Sequence, residues 1–104
     1  MAQTPEVKVK ARVKKFLTER EIYFTMPFTA GYGASGVPDF LVCYQGRFIA
    51  LECKANGNKP TALQEDNMNR IRRSKGIAVV VDETNVDFTL NCLFNAVGDD
   101  DGRC

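Results

Sequence analysis

Two apolar runs, residues 37–44 and 47–54, lie on either side of the dipeptide Gln45-Gly46. A two-residue turn that contains glycine, placed between two such runs, predicts a β-hairpin. A loop of this length also sets which residues lie opposite each other, and here it places Asp39 opposite Glu52. The hairpin and its register are therefore the strongest constraint that this chain places on its fold.

The predicted register brings two like charges together. Carboxylates directly opposite each other destabilise a sheet, so structure alone does not explain Asp39 and Glu52. Lys54 follows Glu52 by one full strand repeat and is therefore predicted to share its face. A divalent cation between the carboxylates would remove the repulsion, and Mg²⁺ prefers carboxylate oxygens. The hairpin is thus a candidate metal site, with surface ion pairs as the alternative.

Apolar periodicity predicts the elements around the hairpin. They are, in chain order, a helix over residues 5–20, a strand over 22–28, the hairpin, a helix from Thr61 to Gly76, a strand over 77–81 and a helix over 86–97. The last segment also alternates like a strand, and we favour the helix. Both faces of the hairpin are apolar, as in sheets covered by helices. We therefore expect one α/β domain over residues 1–97, a mixed central sheet flanked by helices, and a disordered acidic tail over 98–104.

The composition excludes several kinds of chemistry. The 104 residues include no histidine, which excludes Ser-His-Asp triads, Cys-His dyads and histidine-based zinc sites. The four cysteines form no CxxC pair, and no secretory signal or membrane-length apolar run is evident. We therefore expect reduced thiols and a cytoplasmic protein. Acid, base or metal chemistry must use carboxylates, lysine and backbone groups.

The charge is unevenly distributed, although the formal net charge is only +1. Basic residues concentrate in segments 8–20 and 70–75, and acidic residues at the end of the chain. Two basic clusters on a nearly neutral protein indicate a surface that faces a polyanion. Two solvated helix faces are the alternative.

Two further polar residues could belong to the same site. Glu6 lies at the start of the inward stripe of the first helix, although an acid there also meets the helix dipole favourably. Gln64 lies in the first turn of the second helix, where Thr61 and Gln64 also match a capping box. Each residue thus has a structural and a functional interpretation.

These motifs together resemble a known nuclease group. Pro38-Asp39 followed by Glu52-Cys53-Lys54 resembles the PD-(D/E)xK nuclease superfamily, in which an Asp and a Glu-x-Lys lie on adjacent strands. With Glu6, the glycine-rich segment 33–39 and Gln64, the chain resembles the virus-type replication-repair nuclease family, VRR-NUC. The resemblance runs from Glu6 to Val81 and implies a restriction-endonuclease-like fold and a metal-dependent DNA endonuclease.

The resemblance implies a role for each site residue. Asp39, Glu52 and the backbone carbonyl of Cys53 would ligate Mg²⁺ or Mn²⁺, and Lys54 would orient the attacking water. Glu6 would help to hold a metal or position Lys54, and Gln64 matches the helical glutamine of the family. The candidate DNA contacts are Lys8, Lys10, Arg12, Lys14, Lys15, Ser35, Gly36, Lys59, Arg70 and Arg73.

The resemblance also implies partners. Small family members of this kind resemble phage or prophage proteins that form homodimers and cut branched DNA such as four-way (Holliday) junctions, in the cytoplasm of a bacterial or phage-infected cell. A catalytically silent nucleic-acid-binding module with the same fold is the alternative, and the intact Asp39, Glu52 and Lys54 disfavour it. A nucleotide phosphohydrolase is disfavoured because the glycine-rich loop leads into a strand and opens no helix.

Overall fold

The computed structural model describes residues 4–28 and 36–99. These residues form a mixed α/β domain, as predicted. In chain order the elements are α1 (Pro5–Glu19), β1 (Tyr23–Thr25), β2 (Phe40–Tyr44), β3 (Arg47–Cys53), α2 (Ala62–Arg73), β4 (Ile77–Val81) and α3 (Val86–Asp99). The glycine-rich stretch up to Ser35 and the tail from residue 100 lie outside the described residues.

Strands β2 and β3 form the predicted hairpin in the predicted register. Phe40 pairs with Leu51 at one end, and Tyr44 pairs with Arg47 at the turn. The two turn residues between them have positive φ angles of 52° and 76°. Positive φ at both central positions matches a type I′ turn, whose twist suits a hairpin.

Proline shortens two predicted strands. The first arm of the hairpin begins at Phe40 and not at residue 37, because Pro38 has no N–H to donate to a ladder. The predicted Asp39–Glu52 pair therefore lies one position beyond the last backbone pair. The predicted strand over 22–28 is reduced to the three residues of β1, and Pro27 follows its end closely.

One face of the sheet is covered by α1 and α3. The strand order is β1-β2-β3-β4, antiparallel except for the parallel pair of β3 and β4. Val13 and Leu17 of α1 and Leu90 of α3 are buried against this face. The strand residues that meet them include Phe40, Ile49, Leu51 and Cys53. This layer contains the larger core.

The other face of the sheet packs on α2. Met68 is buried there with Ala50 and Ala78, in a smaller apolar cluster. Side chains alternate along a strand, so Glu52 belongs to this face and Cys53 to the opposite one. The acid-bearing face is therefore the α2 face.

The remaining predicted boundaries hold with small changes. The last segment is a helix, but α3 continues to Asp99, so the first two residues of the predicted tail are helical. None of the three described cysteines, Cys43, Cys53 and Cys92, forms a disulfide. Among the described residues, no helix combines the length and the apolar character needed to cross a bilayer.

Candidate active site

Asp39 is held against β3 by its own carboxylate. It lies immediately before β2, where the backbone ladder has not yet begun. Its Oδ2 accepts a hydrogen bond of 2.8 Å from the backbone N–H of Cys53. The side chain thus takes the place of the backbone pairing that the sequence predicts between Asp39 and Glu52. It fixes one carboxylate next to the strand that carries the other.

Glu52 is a deeply buried acid. Only 2% of its surface is exposed, and its Oε1 accepts no hydrogen bond from any described residue. Burial, together with repulsion from Asp39 and Glu6, raises the pKa of Glu52 to about 7 against the opposing effect of Lys54. A buried polar atom without a partner is costly and uncommon. An unpartnered carboxylate oxygen of this kind is a candidate ligand for a cation.

Lys54 is the cation that partly compensates Glu52. Its Nζ lies 3.6 Å from Oε2 of Glu52, and 12% of its side chain is exposed. Its backbone N–H donates to the carbonyl of Val81 at 2.9 Å, which anchors it to β4. An ammonium has three donors, so the single ion pair leaves the group able to bind a further acceptor.

Glu6 reaches the same cluster through Lys10. Nζ of Lys10 lies 3.7 Å from Oε2 of Glu6 and 3.4 Å from Oδ1 of Asp39. Partial burial alone would lower the pKa of Lys10, but the charge of Asp39 and its hydrogen bond outweigh burial and raise it. Lys10 was predicted only as a DNA contact. The sequence indicates the pairing of Lys10 with Glu6, because the two residues lie one helical turn apart, but it gives no sign of the pairing with Asp39.

The side chain of Cys53 takes no part in the acidic cluster. It is fully buried in the core under α1 and α3. Burial, with the charges of Asp39 and Glu52, raises the pKa of the thiol far above its ordinary value. A neutral, buried thiol is a poor nucleophile and a poor metal ligand. The side chain of Cys53 is therefore no candidate ligand, and a role for its backbone carbonyl stays a prediction.

The donor set fits a hard divalent cation. Lys10 links the carboxylates of Glu6 and Asp39, both of which act on Glu52 by charge, and one Glu52 oxygen is unpartnered among the described residues. Within the described part of the chain, however, no three His, Cys, Asp or Glu side chains converge as a ready metal-ligand group. The ammonium group of Lys10 lies between the carboxylates of Glu6 and Asp39 instead, and that of Lys54 pairs with Glu52.

Gln64 forms the capping box of α2. Its Oε1 accepts from the N–H of Thr61 at 2.9 Å, and its own N–H donates to Oγ1 of Thr61 at 3.2 Å. The structural interpretation of this residue is therefore confirmed. A role for Gln64 at the site stays a prediction.

The predicted DNA contacts fall into two groups and two single cases. Exposed residues form the first group, which is Lys8, Lys14, Lys15, Lys59, Arg70 and Arg73. The second group is engaged within the protein: Lys10 in the cluster above, and Arg12 in an ion pair of 2.6 Å with Asp87. Gly36 packs tightly on α2, where a Cβ would lie 2.8 Å from the carbonyl of Leu63. Ser35 lies outside the described residues.

Comparison of the chain with models of known protein families and with curated proteins gave no match. A carboxylate immediately before β2, a second on β3, a third on α1 and a lysine beside the buried Glu52 make up a candidate site for a divalent cation. The same arrangement can present an ammonium to a bound anion.

Proposed function

We propose that this chain is a metal-dependent DNA endonuclease with a restriction-endonuclease-like, VRR-NUC type of domain. The observation that carries the proposal is the buried Glu52, whose Oε1 has no partner among the described residues while a second carboxylate, Asp39, is fixed beside it. Lys54 pairs with the other oxygen of Glu52, but a buried oxygen left without a partner is costly, and a bound divalent cation would compensate it.

Asp39 and Glu52 would hold Mg²⁺ or Mn²⁺, with the backbone carbonyl of Cys53 and with Glu6. Such an ion supplies an activated water near neutral pH and neutralises charge on the phosphate oxygens. The hydrogen bond from the N–H of Cys53 orients the carboxylate of Asp39 before any ligand binds. Glu52 has a pKa near 7 and is poised to lose its proton when a cation approaches.

Lys54 would act on the substrate. Its ammonium lies 3.6 Å from Glu52 and has no other ion pair among the described residues, so it could bind a phosphate oxygen and orient the attacking water. Its backbone is fixed between β3 and β4, which limits how far the group can move. Gln64 would assist from the first turn of α2.

Branched DNA, such as a four-way junction, is the proposed substrate, and a homodimer is the proposed assembly. Exposed lysines on α1 and arginines on α2 provide charge for phosphate contacts. A twofold dimer would present two sites to two strands. These features, like the proposed phage origin and cytoplasmic location, derive from the family resemblance.

A nucleic-acid-binding module without catalysis is the second candidate function. The observation that favours it is the pairing of the site carboxylates with Lys10 and Lys54, together with the absence of a ready three-ligand group among the described residues. In such a module the lysines would neutralise the acids permanently.

A cleavage assay separates the two candidates. Labelled four-way junction, flap and linear DNA are incubated with the protein and Mg²⁺, Mn²⁺ or EDTA. Cleavage with metal is expected for the wild type and for Glu19→Ala, a control that removes an exposed acid of α1. Loss is expected in EDTA and in Asp39→Ala and Lys54→Ala. Cleavage that survives either site substitution contradicts the mechanism, and binding without cleavage under every condition supports the silent module.

A further inference from the structure

Lys10 connects two carboxylates that come from distant parts of the chain. Its Nζ lies 3.4 Å from Asp39 Oδ1 and 3.7 Å from Glu6 Oε2. The side chain is about one-third exposed, so the ion pair lies at the edge of the cluster and solvent can reach it. No other described residue bridges α1 to the start of β2 by an ion pair.

The hydrogen-bonding partners of the carboxylate oxygens show what the ammonium of Lys10 occupies. Oδ2 of Asp39 is already committed to the N–H of Cys53. Oε2 of Glu52 is paired with Lys54, and Oε1 is unpartnered among the described residues. The remaining oxygen of Asp39, Oδ1, is therefore the one that a cation shared with Glu52 would use, and Lys10 is bound to it.

We propose that Lys10 is a positioning residue of this site, an internal counter-ion that binds Asp39 Oδ1 in the metal-free protein and gives it up when a divalent cation binds. The inference rests on the proposed function in one respect, that Asp39 is a metal ligand. It assigns Lys10 a part that differs from a plain contact to DNA phosphate.

Competition follows from simple electrostatics. A divalent cation and an ammonium cannot both approach the same carboxylate oxygen without repelling each other. The free energy of the Lys10–Asp39 pair must be given up on binding, so Lys10 weakens the affinity of the site for metal. In the absence of metal, however, Lys10 holds the carboxylates of Glu6 and Asp39 close to each other. Without it, these two carboxylates and that of Glu52 would repel each other.

Metal affinity of the purified protein tests the inference without any cleavage reaction. Mn²⁺ is titrated by calorimetry into the wild type, Lys10→Met, Lys10→Arg and Lys14→Met. Lys14 is the matched control because it is an exposed lysine one turn further along α1 and has no ion pair with a described residue. Removing it changes the net charge equally but leaves the Asp39 pair intact.

Mn²⁺ is expected to bind Lys10→Met about tenfold more tightly than Lys14→Met, because a like charge next to the ligand is gone. Lys10→Arg should restore an affinity close to that of the wild type. In EDTA, Lys10→Met should melt at a lower temperature than Lys14→Met, and Mn²⁺ should raise its melting temperature by more. Should Lys10→Met fold poorly, Lys10→Gln provides the same comparison.

Two other results overturn the inference in distinguishable ways. Equal or weaker Mn²⁺ binding by Lys10→Met than by Lys14→Met, with clear binding by the wild type, rejects Lys10 as a competitor and leaves the proposed function intact. Failure of every protein, wild type included, to bind Mn²⁺ rejects the metal site itself and the inference with it.

Discussion

The backbone N–H of Cys53 donates a hydrogen bond of 2.8 Å to Oδ2 of Asp39, so one candidate metal ligand is also part of the sheet. The hydrogen bond lies at the point where Pro38 prevents the ladder from continuing. Asp39 thus has two functions that substitutions can separate: it accepts this hydrogen bond, and it supplies a carboxylate charge to the site.

Asp39→Ala is expected to lower the free energy of unfolding by about 1–2 kcal/mol, because the partly buried N–H of Cys53 loses its acceptor. Asp39→Asn keeps an oxygen in reach of that N–H and should be closer to the wild type in stability. Both variants should lose metal-dependent cleavage. Urea denaturation in EDTA measures the free energy of unfolding, and the junction assay measures cleavage. Equal stability of the two variants would show that the hydrogen bond contributes nothing.

Glu52 should make the metal-free protein less stable at high pH. Its pKa rises from 4.5 to about 7 on folding. The folded state therefore holds the proton more tightly, and the stability that Glu52 contributes is complete below pH 4.5 and is lost as the pH rises through about 7. The full loss is about 3 kcal/mol in order of magnitude.

Glu52→Gln is the matched variant for that pH dependence, since it removes the charge and keeps the shape. In EDTA it should be more stable than the wild type at pH 8 and similar to it at pH 5. Urea denaturation at both pH values measures the difference. Mn²⁺ at pH 8 should stabilise the wild type and have little effect on the variant. A flat pH profile for both proteins would contradict the buried state of Glu52.

The register of the hairpin could be predicted because a two-residue turn leaves a single pairing that keeps both apolar faces buried. Gln45-Gly46 adopts the positive φ angles that such a turn requires, and the pairs from Phe40 to Tyr44 follow. The predicted strand begins at residue 37 and the observed strand at Phe40, because the prediction followed the apolar pattern and did not allow for the missing N–H of Pro38. Local chemistry at a proline thus limits what periodicity can predict.

The pairing of Lys10 with Asp39 could not be predicted in the same way. These residues belong to α1 and to the start of β2, and their contact depends on how the helix lies across the sheet. Helical spacing indicates only the partner within α1, Glu6. The acids of the site were visible as a motif, but the cation among them is a property of the tertiary packing.

Gly36 is expected to contribute to the stability of the fold. Its φ angle is 83°, and a Cβ there would lie 2.8 Å from the backbone of Leu63 in α2. Gly36→Ala should therefore lower the free energy of unfolding by about 1–3 kcal/mol, through both backbone strain and overpacking. Gly57→Ala is the control, with a φ of 76° and no described atom within 4 Å of a Cβ. Similar losses in the two variants, measured by urea denaturation, would show that contact with α2 adds nothing to backbone strain.

The capping role of Gln64 can be separated from a catalytic role by substitution, because glutamate can also complete a capping box. Gln64→Ala should lower the free energy of unfolding by about 0.5–1 kcal/mol, since the N–H of Thr61 loses its acceptor. Gln64→Glu should keep the cap and the stability of the wild type. If Gln64 also serves the site, both variants should cut junction DNA more slowly under saturating Mg²⁺, and the effect of Gln64→Glu cannot then be attributed to loss of folding. Cleavage by Gln64→Glu at the wild-type rate would restrict this residue to its structural role at the start of α2.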